Sequence, residues 1–270
     1  MPELPEVETV RRVLLNNLAN LKINDVIVRY DNIIDQDKYE FIKNVKNKTI
    51  IDILRRGKFL IFKLDKGYII SHLRMEGKYF YVENNSLDNK HIHVIFKLSN
   101  NYDLLYQDVR KFGRMLYIED DIYNKLPLSK VGIDLILDKQ IDYDQIYAKI
   151  INKALLIKET LLDQSIIAGL GNIYVDEVLF ASKIRPDTLS KDITMDQLKS
   201  IINESKRIFD LAIEKKGTTI RSYTSSLNVK GNYQDFLMVH TKEYCKICNS
   251  KIEKIKIGGR TTYFCKNCQK

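Results

Sequence analysis

The sequence predicts an α+β protein of several domains: an amino-terminal β-sandwich with one helix before it, a helical domain, and a carboxy-terminal metal hairpin. Three observations predict this order. Short strand-like segments recur about every ten residues up to residue 119. The apolar period then becomes helical, and all four cysteines lie in the last 26 residues. A chain of 270 residues has room for two domains and a small third module.

The first predicted element is an amphipathic helix that ends near Ala19. Pro5 stands where a first helical turn accepts proline, and Glu6 and Glu8 follow where the helix dipole favours negative charge. The apolar residues at helical spacing are Val7, Val10, Leu14, Leu15 and Leu18. The pattern therefore indicates a helix with one apolar face.

Eight strands are predicted after this helix. They cover residues 25–30, 49–54, 59–64, 68–73, 78–83, 93–98, 103–107 and 114–119. Short strands at this even spacing are typical of a β-sandwich or a barrel. We therefore expect an all-β arrangement for most of the first domain.

The next part, from about Asp142 to Lys215, is predicted to be helical. The run Gly169-Leu170-Gly171-Asn172 is placed in a sharp turn between two helices, and Pro186 begins the next break. Asn172 is a residue type that caps helices, at a helix start whose free N–H groups attract anions. We expect domains at residues 1–130, 131–235 and 236–270.

The cysteines form two pairs with sixteen residues between them. The pairs are Cys245 with Cys248 and Cys265 with Cys268. This spacing is typical of a zinc site, and four thiolates leave no open coordination position, so one structural Zn²⁺ is predicted. The segments on both sides of Gly258-Gly259 alternate in polarity, which predicts a β-hairpin. Two disulfides are the alternative, disfavoured because the chain has no other cysteine and no secretory signal.

The basic charge is concentrated in two segments. The whole chain has 44 Lys and Arg against 35 Asp and Glu, a net charge of +9 that suits a polyanionic partner. Residues 241–270 have eight basic and two acidic side chains, which is net +4 once zinc and four thiolates are counted. Residues 54–80 have seven basic and two acidic side chains. A basic zinc hairpin is most simply a nucleic-acid-binding element.

Composition excludes several classes of protein. With 44% hydrophobic and 29% charged residues, the chain is neither disordered nor fibrous. No apolar run approaches the roughly 20 residues that cross a bilayer. Residues 1–6 have neither the basic nor the apolar region of a secretory signal. We therefore expect a cytoplasmic protein with no membrane partner.

The amino terminus is chemically unusual. Methionine before proline is normally trimmed, which leaves Pro2 as a free secondary amine. An α-amine titrates at ~7.7–8.0 against ~10.4 for lysine, so it offers more free base at neutral pH. Attack on an aldehyde-level carbon gives a charged iminium that withdraws electrons, and Glu3 beside it can move protons. The alternative interpretation is that Pro2 and Pro5 only start a helix.

Six motifs together resemble one known family. They are Pro2-Glu3-Leu4-Pro5-Glu6-Val7-Glu8-Thr9, Arg56-Gly57-Lys58-Phe59-Leu60, His72-Leu73-Arg74-Met75-Glu76-Gly77, Asp108-Val109-Arg110-Lys111-Phe112-Gly113, Gly169-Leu170-Gly171-Asn172-Ile173-Tyr174 and the four-cysteine end. From end to end the chain resembles bacterial formamidopyrimidine-DNA glycosylases. The related endonuclease VIII branch resembles it less around residues 4–7 and 72–77.

The resemblance implies a catalytic set. Pro2 is the nucleophile at the sugar carbon that bears the damaged base, and Glu3 assists sugar-ring opening and later proton transfers. Lys58 is similar to a lysine required for base excision, although a solvated strand end is the alternative for this residue. Arg260, just after the Gly258-Gly259 turn, is similar to an arginine that clamps phosphates beside the everted base.

The resemblance also implies DNA contacts. Met75, Arg110 and Phe112 resemble residues that fill the gap left by the everted base; taken alone, Met75 and Phe112 would be assigned to the core. The other contacts are His91, Lys158, Asn172 and Arg260, with Asn172 in a helix–two-turn–helix. Residues 218–234 match a region that in the family contains a loop over the lesion.

The implied function is base-excision repair of duplex DNA that contains oxidised purines or abasic sites. A monomeric enzyme would remove 8-oxoguanine and formamidopyrimidines as a glycosylase, then cut the strand by β,δ-elimination as a lyase, at the bacterial nucleoid. Two alternatives stay open. One is an endonuclease VIII-like glycosylase/lyase for oxidised pyrimidines, and the other is a non-catalytic DNA-binding zinc protein on the same scaffold.

Overall fold

The computed structural model describes residues 1–218 and 231–270, which form two compact units. The first unit contains Met1–Pro2, Glu6–Ser129 and the described ends of Thr218–Gly231. The second contains Glu3–Pro5, Lys130–Gly217 and Asn232–Lys270. No helix in these described ranges is long and apolar enough to cross a membrane.

The described residues form six α-helices and ten strands. The helices are α1 (Leu4–Leu18), α2 (Lys38–Val45), α3 (Tyr143–Ile151), α4 (Ile157–Leu161), α5 (Asn172–Ala181) and α6 (Met195–Glu214). The strands are β1 (Ile23–Val28), β2 (Ile50–Arg56), β3 (Phe59–Leu64), β4 (Tyr68–His72), β5 (Lys78–Glu83), β6 (Ile92–Leu98), β7 (Tyr102–Gln107), β8 (Arg114–Ile118), β9 (Glu253–Ile257) and β10 (Arg260–Phe264).

The first unit is a β-sandwich of two four-stranded antiparallel sheets. One sheet has the order β1-β6-β7-β5 and the other has the order β2-β3-β4-β8. Alternate residues of these strands, such as Phe62 and Tyr79, are buried in a common core that Leu14 and Leu18 of α1 also enter. The predicted β-sandwich is therefore confirmed, and all eight predicted strands are present; two separate sheets form in place of the barrel alternative.

Helix α2 was not predicted from the sequence. Its cap is Asp37, whose side chain accepts a hydrogen bond from the Glu40 backbone N–H at 2.9 Å. Only Phe41 and Val45 of this helix are buried. Two apolar residues four apart are too short a pattern to distinguish a helix from a loop.

The second unit is helical around α5 and α6. Seven consecutive residues of α5 are buried, so this helix is enclosed on every side, whereas α6 is amphipathic and begins with a capping box of Thr194 and Gln197. Their apolar core includes Leu4, Tyr174 and Phe209. The hairpin of β9 and β10 pairs Ile257 with Arg260, as the alternation predicted.

Candidate functional site

The Glu3 carboxylate occupies the amino-terminal end of α5. It accepts hydrogen bonds from the backbone N–H groups of Gly171 at 2.8 Å, Ile173 at 2.9 Å and Tyr174 at 3.3 Å. A side chain at Gly171 would overlap the Glu3 carboxylate, so glycine is required for this approach. Glu3 is only 2% exposed, and the positive end of the helix dipole favours its charge.

The expected cap at Asn172 is wrong. The residue before the helix is Gly171, which has no capping side chain, and Glu3 supplies the acceptors instead. Asn172 is the first helical residue, and its Nδ2 donates to the Thr261 carbonyl at 2.9 Å. The Asn172 amide therefore joins the start of α5 to the hairpin.

Lys158 is buried in the second unit and is not on its surface. Its side chain has no exposed area, and Nζ donates to Asp176 at 2.8 Å and to the Thr262 hydroxyl at 2.8 Å. Burial lowers the Lys158 pKa, although the Asp176 carboxylate opposes this shift. In this structure Lys158 cannot touch a duplex, so its predicted DNA contact is corrected to a structural link between α4, α5 and the hairpin.

Arg260 lies at the exposed tip of the hairpin. It follows Gly258 and Gly259, which both have positive φ angles of 54° and 75°. The next carbonyl, that of Thr261, accepts hydrogen bonds from Asn172 and, at 3.3 Å, from Lys158. The backbone beside Arg260 is thus fixed while its guanidinium remains exposed.

The four cysteines fit one tetrahedral zinc ion. Their Sγ atoms all lie within 4.8 Å of one another, with 3.8 Å between Cys245 and Cys268 and 3.4 Å between Cys248 and Cys265. Tetrahedral bonds of about 2.3 Å require sulfur atoms about 3.8 Å apart. His240, which lies five residues before Cys245, is not a ligand and contacts Asp176 through Nδ1 at 2.7 Å. The prediction of one structural zinc is confirmed.

Two consecutive acids of α5 anchor this hairpin, and the sequence did not reveal them. Asp176 binds Lys158, His240 and the Tyr263 N–H, and Glu177 accepts from the N–H groups of Met238, Val239 and His240. Burial raises the pKa of Glu177 above its ordinary value, and the three hydrogen bonds from backbone N–H groups oppose this shift without cancelling it. Acidic residues within a helix normally indicate a solvated face, so nothing in the local pattern identifies such buried anchors.

In the first unit, Lys58 lies in the turn between β2 and β3 and is nearly buried. The preceding Arg55 donates to the Gly57 carbonyl at 3.0 Å and to Glu8 at 3.1 Å. Burial alone would raise the pKa of Glu8, but hydrogen bonds from Arg11 and neighbouring arginines lower it to about 2. The buried Glu8–Arg55 pair therefore fixes the turn that holds Lys58.

Met75, Arg110 and Phe112 all lie in turns. Met75 is half-buried between β4 and β5, and the other two are exposed between β7 and β8, with Phe112 at 48% exposure. The Arg110 guanidinium lies 4.8 Å from the centre of the Phe112 ring. The alternative that assigned Met75 and Phe112 to the core is therefore wrong.

The histidines divide into buried and accessible groups. His72 is buried, and burial together with the nearby charges of Arg74 and Lys58 lowers its pKa to about 3. His93 is also buried, with Nε2 2.8 Å from the Asp108 carbonyl. His91 is half-exposed. Of the paired His91 and His93, His91 is thus the one available for contacts.

Pro2 is buried while Met1 is exposed. Of the predicted loop at 218–234, residues 219–230 lie outside the described residues. Thr218, just before this gap, donates from its backbone N–H to Glu6 at 2.8 Å and from its hydroxyl at 3.1 Å. Glu6 therefore fixes the described end of the segment.

The predicted residues are grouped by unit. Within the second unit, Glu3, Asn172, Lys158 and the backbone beside Arg260 form one hydrogen-bonded group around the start of α5. Within the first unit, Lys58, Met75, His91, Arg110 and Phe112 all lie at or next to strand ends. Aspartate directly before a turn is a signal for a loop-stabilising side chain. That signal identifies Asp108, which lies in one of the six motifs but has no predicted role of its own.

Comparison with known proteins gives three consecutive family matches. The formamidopyrimidine-DNA glycosylase N-terminal domain matches residues 1–115, and the H2TH domain of that enzyme matches residues 132–224. The zinc finger found in FPG and IleRS matches residues 242–270. The formamidopyrimidine-DNA glycosylase of Streptococcus mutans is 44% identical, with all of both chains covered. The chain belongs to the formamidopyrimidine-DNA glycosylase family.

Other glycosylases agree over the whole length. The formamidopyrimidine-DNA glycosylase of Mycoplasma genitalium is 42% identical over 100% of this chain and 96% of its own. A Lactococcus lactis Fpg variant in complex with Fapy-dG-containing DNA is 38% identical, with a TM-score of 0.93 and 99% of both chains covered. The L. lactis Fpg in complex with DNA containing an abasic site has a TM-score of 0.92, at the same identity and coverage. The predicted resemblance and fold class are confirmed.

Proposed function

We propose that this glycosylase-family protein removes oxidised purines, 8-oxoguanine and formamidopyrimidines, from duplex DNA and then cleaves the strand at the abasic site. The observation that supports this best is the Glu3 carboxylate, adjacent to Pro2 in the chain and held by three N–H groups at the start of α5. The relatives are named as formamidopyrimidine-DNA glycosylases, and two solved relatives are complexes with Fapy-dG and abasic-site DNA.

The chemistry begins at the Pro2 nitrogen. When Met1 is removed, this nitrogen is a secondary amine whose lone pair forms a bond to the sugar carbon that bears the damaged base. The bond from that carbon to the base breaks, and the base leaves with the electron pair and takes up a proton. Loss of the proton from the Pro2 nitrogen and opening of the sugar ring, whose oxygen takes up a proton, then give the iminium.

The iminium then directs strand cleavage. Its positive charge draws electrons from the neighbouring carbon, so a proton is lost there and the 3′ phosphate leaves by β-elimination. A second elimination releases the 5′ phosphate. Glu3 is the group that holds and moves these protons, because it is next to Pro2 in the chain and is fixed in place by α5.

DNA contacts come from both units. In the first unit, Lys58 and His91 contact the strand, Arg110 binds the estranged base, and Met75 and Phe112 fill the gap left by eversion. In the second unit, Asn172 and Arg260 bind phosphates at the helix start and the hairpin tip. The side-chain types match these tasks, and the exposure of Arg110, Phe112 and Arg260 makes them available.

The zinc ion, when bound, supplies structure and not chemistry, because four thiolates complete its coordination. We propose that the enzyme works as a monomer at the bacterial chromosome, in the cytoplasm, because that is where its DNA substrate lies.

Borohydride trapping tests this function. Wild-type protein with a mass-verified Pro2 terminus is mixed with a duplex that contains one 8-oxoguanine and with sodium borohydride. We expect a covalent protein–DNA complex, since borohydride reduces the iminium to a stable amine. No complex with this duplex, or with one that contains an abasic site, would exclude the lyase.

The same assay separates the enzyme alternatives. Competition between 8-oxoguanine and thymine glycol duplexes is expected to favour the oxidised purine. A preference for thymine glycol would assign the endonuclease VIII-like activity instead. Duplex binding without any trapped complex would favour the non-catalytic zinc protein.

A second prediction concerns Arg260. The Arg260→Ala variant is expected to bind duplex about tenfold more weakly and to lower the salt slope of binding by about one unit, because one phosphate contact is lost. Lys251→Ala, which removes an exposed charge just before β9, at the opposite end of the hairpin from its tip, is the matched control. Equal slopes for Arg260→Ala and wild type would remove Arg260 from the phosphate contacts.

A further inference from the structure

The turn that holds Arg110 and Phe112 is organised by one buried carboxylate. Asp108 directly follows the last residue of β7 and is fully buried. Its Oδ1 accepts from the Arg110 N–H at 3.0 Å, and its Oδ2 accepts from the N–H groups of Phe112 at 2.9 Å and Gly113 at 2.8 Å. Both carboxylate oxygens are therefore committed to the turn.

The Asp108 backbone ties the same turn to β6. Its N–H donates to the His91 carbonyl at 3.0 Å, and its carbonyl accepts from the Lys111 N–H at 3.3 Å and lies 2.8 Å from His93 Nε2. Lys111 has a φ of 60°, a conformation that needs such local support. Asp108 thus connects His91 with Arg110 and Phe112.

Tyr106 extends this support to the turn of Met75. A Cβ atom at Gly113 or at Gly77 would overlap the Tyr106 hydroxyl, so the two turns pack against one hydroxyl group. Asp108 and Tyr106 lie on one strand end and fix the position of both turns.

We propose that Asp108 is a positioning residue for base eversion. This inference rests on the proposed function, in which Arg110 and Phe112 enter the duplex. Asp108 holds their turn in the conformation that inserts, so the turn is already ordered before DNA binds and less ordering free energy opposes insertion. Eversion of a damaged base costs the free energy of unstacking and unpairing that base, whereas an abasic site has no base to unstack or unpair, so excision depends more strongly on insertion than abasic-site cleavage does.

The Asp108→Asn variant tests the proposal. An amide has only one acceptor oxygen, so its NH₂ group must face at least one of three N–H donors. In single-turnover assays with an 8-oxoguanine duplex we expect excision to slow by about tenfold or more. Cleavage of a preformed abasic duplex is expected to change by less than about threefold. Asp103→Asn is the matched control, because it replaces a buried carboxylate of the same strand that binds Lys97 and the Asn85 N–H.

The ratio of the two rates separates positioning from simple loss of folded protein. Misfolding reduces both rates together, and borohydride titration counts the active molecules. Gly113→Ala disturbs the same turn through Tyr106 and is expected to change the ratio in the same direction. A wild-type ratio in Asp108→Asn would overturn the proposal.

Amide hydrogen exchange tests whether Asp108 holds the turn, and this measurement does not depend on enzyme activity. Exchange at Arg110, Phe112 and Gly113 is expected to be at least about tenfold faster in Asp108→Asn than in wild type or Asp103→Asn. Unchanged exchange would overturn the proposal. If wild-type protein excises no base while exchange does respond, the proposed function fails and the role of Asp108 in holding the turn stands.

Discussion

A variant with one alanine inserted between Met1 and Pro2 is expected to form no borohydride-trapped complex and to lose strand cleavage by at least about a thousandfold. The inserted residue converts the Pro2 nitrogen into an amide, which has no lone pair available for attack. Duplex binding should stay within about threefold of wild type, because no cationic side chain is removed. Trapping at 8-oxoguanine and abasic duplexes, with binding measured in parallel, checks both statements.

The control for this variant keeps the free amine. Wild-type protein with its amino-terminal mass confirmed must trap under the same conditions. Pro2→Gly separates the roles of amine and ring, since it has a primary amine without the pyrrolidine and is expected to bind duplex while cutting is abolished. Full cleavage by the extended variant would exclude the Pro2 nitrogen as the nucleophile and would point to another amine, either the new terminal amine of the inserted alanine or a lysine.

Loss of zinc is the second large effect that we expect. Cys265→Ser should release the metal, disorder the hairpin and weaken duplex binding by about a hundredfold, because two short strands do not fold alone and the hairpin contributes much of the basic charge. The main unfolding transition should persist. The large apolar cores of both units contain no hairpin residue, since Cys245 and Cys265 belong to a separate small cluster with Phe180.

Ser250→Ala is the matched control for the cysteine variant. The Ser250 hydroxyl lies 3.0 Å from the Cys248 sulfur and 3.2 Å from the Cys265 sulfur, yet four thiolates complete the shell without it. Metal analysis should give one zinc per chain for wild type and Ser250→Ala and none for Cys265→Ser. Retained zinc and wild-type affinity in Cys265→Ser would contradict a four-thiolate structural site.

Much of the fold could be predicted because its signals are local. Short strand-like segments at even spacing identified the eight strands of the sandwich, and two cysteine pairs identified the metal hairpin. Helix α2 escaped because only Phe41 and Val45 face the core. The division of eight strands into two sheets depends on pairing between distant residues, such as Tyr68 with Ile118, which no local pattern specifies.

The candidate site was predictable in its residue types but not in its contacts. The resemblance to the family identified Glu3, Lys158 and Asn172. However, the partners of these residues lie far along the chain, at Gly171, Asp176 and Thr261. Lys158, which was assigned to DNA, consequently forms an internal ion pair with Asp176. Asn172 was assigned as the helix cap, but Glu3 accepts the hydrogen bonds at this helix start. The resemblance to the family thus predicted which positions belong to the site, whereas the burial and the hydrogen-bond partners of these residues come from the structure.

Helix α5 has a mechanical consequence. Its ten residues form a rod about 15 Å long, which binds Glu3 at its first turn and the hairpin through Asp176 and Glu177 further along. A rotation or a shift of this rod would displace the carboxylate and the hairpin together. The Glu3 carboxylate and the hairpin backbone beside Arg260 therefore keep a constant spacing. This spacing bears on the mechanism that we propose, in which Glu3 transfers protons and Arg260 binds a phosphate.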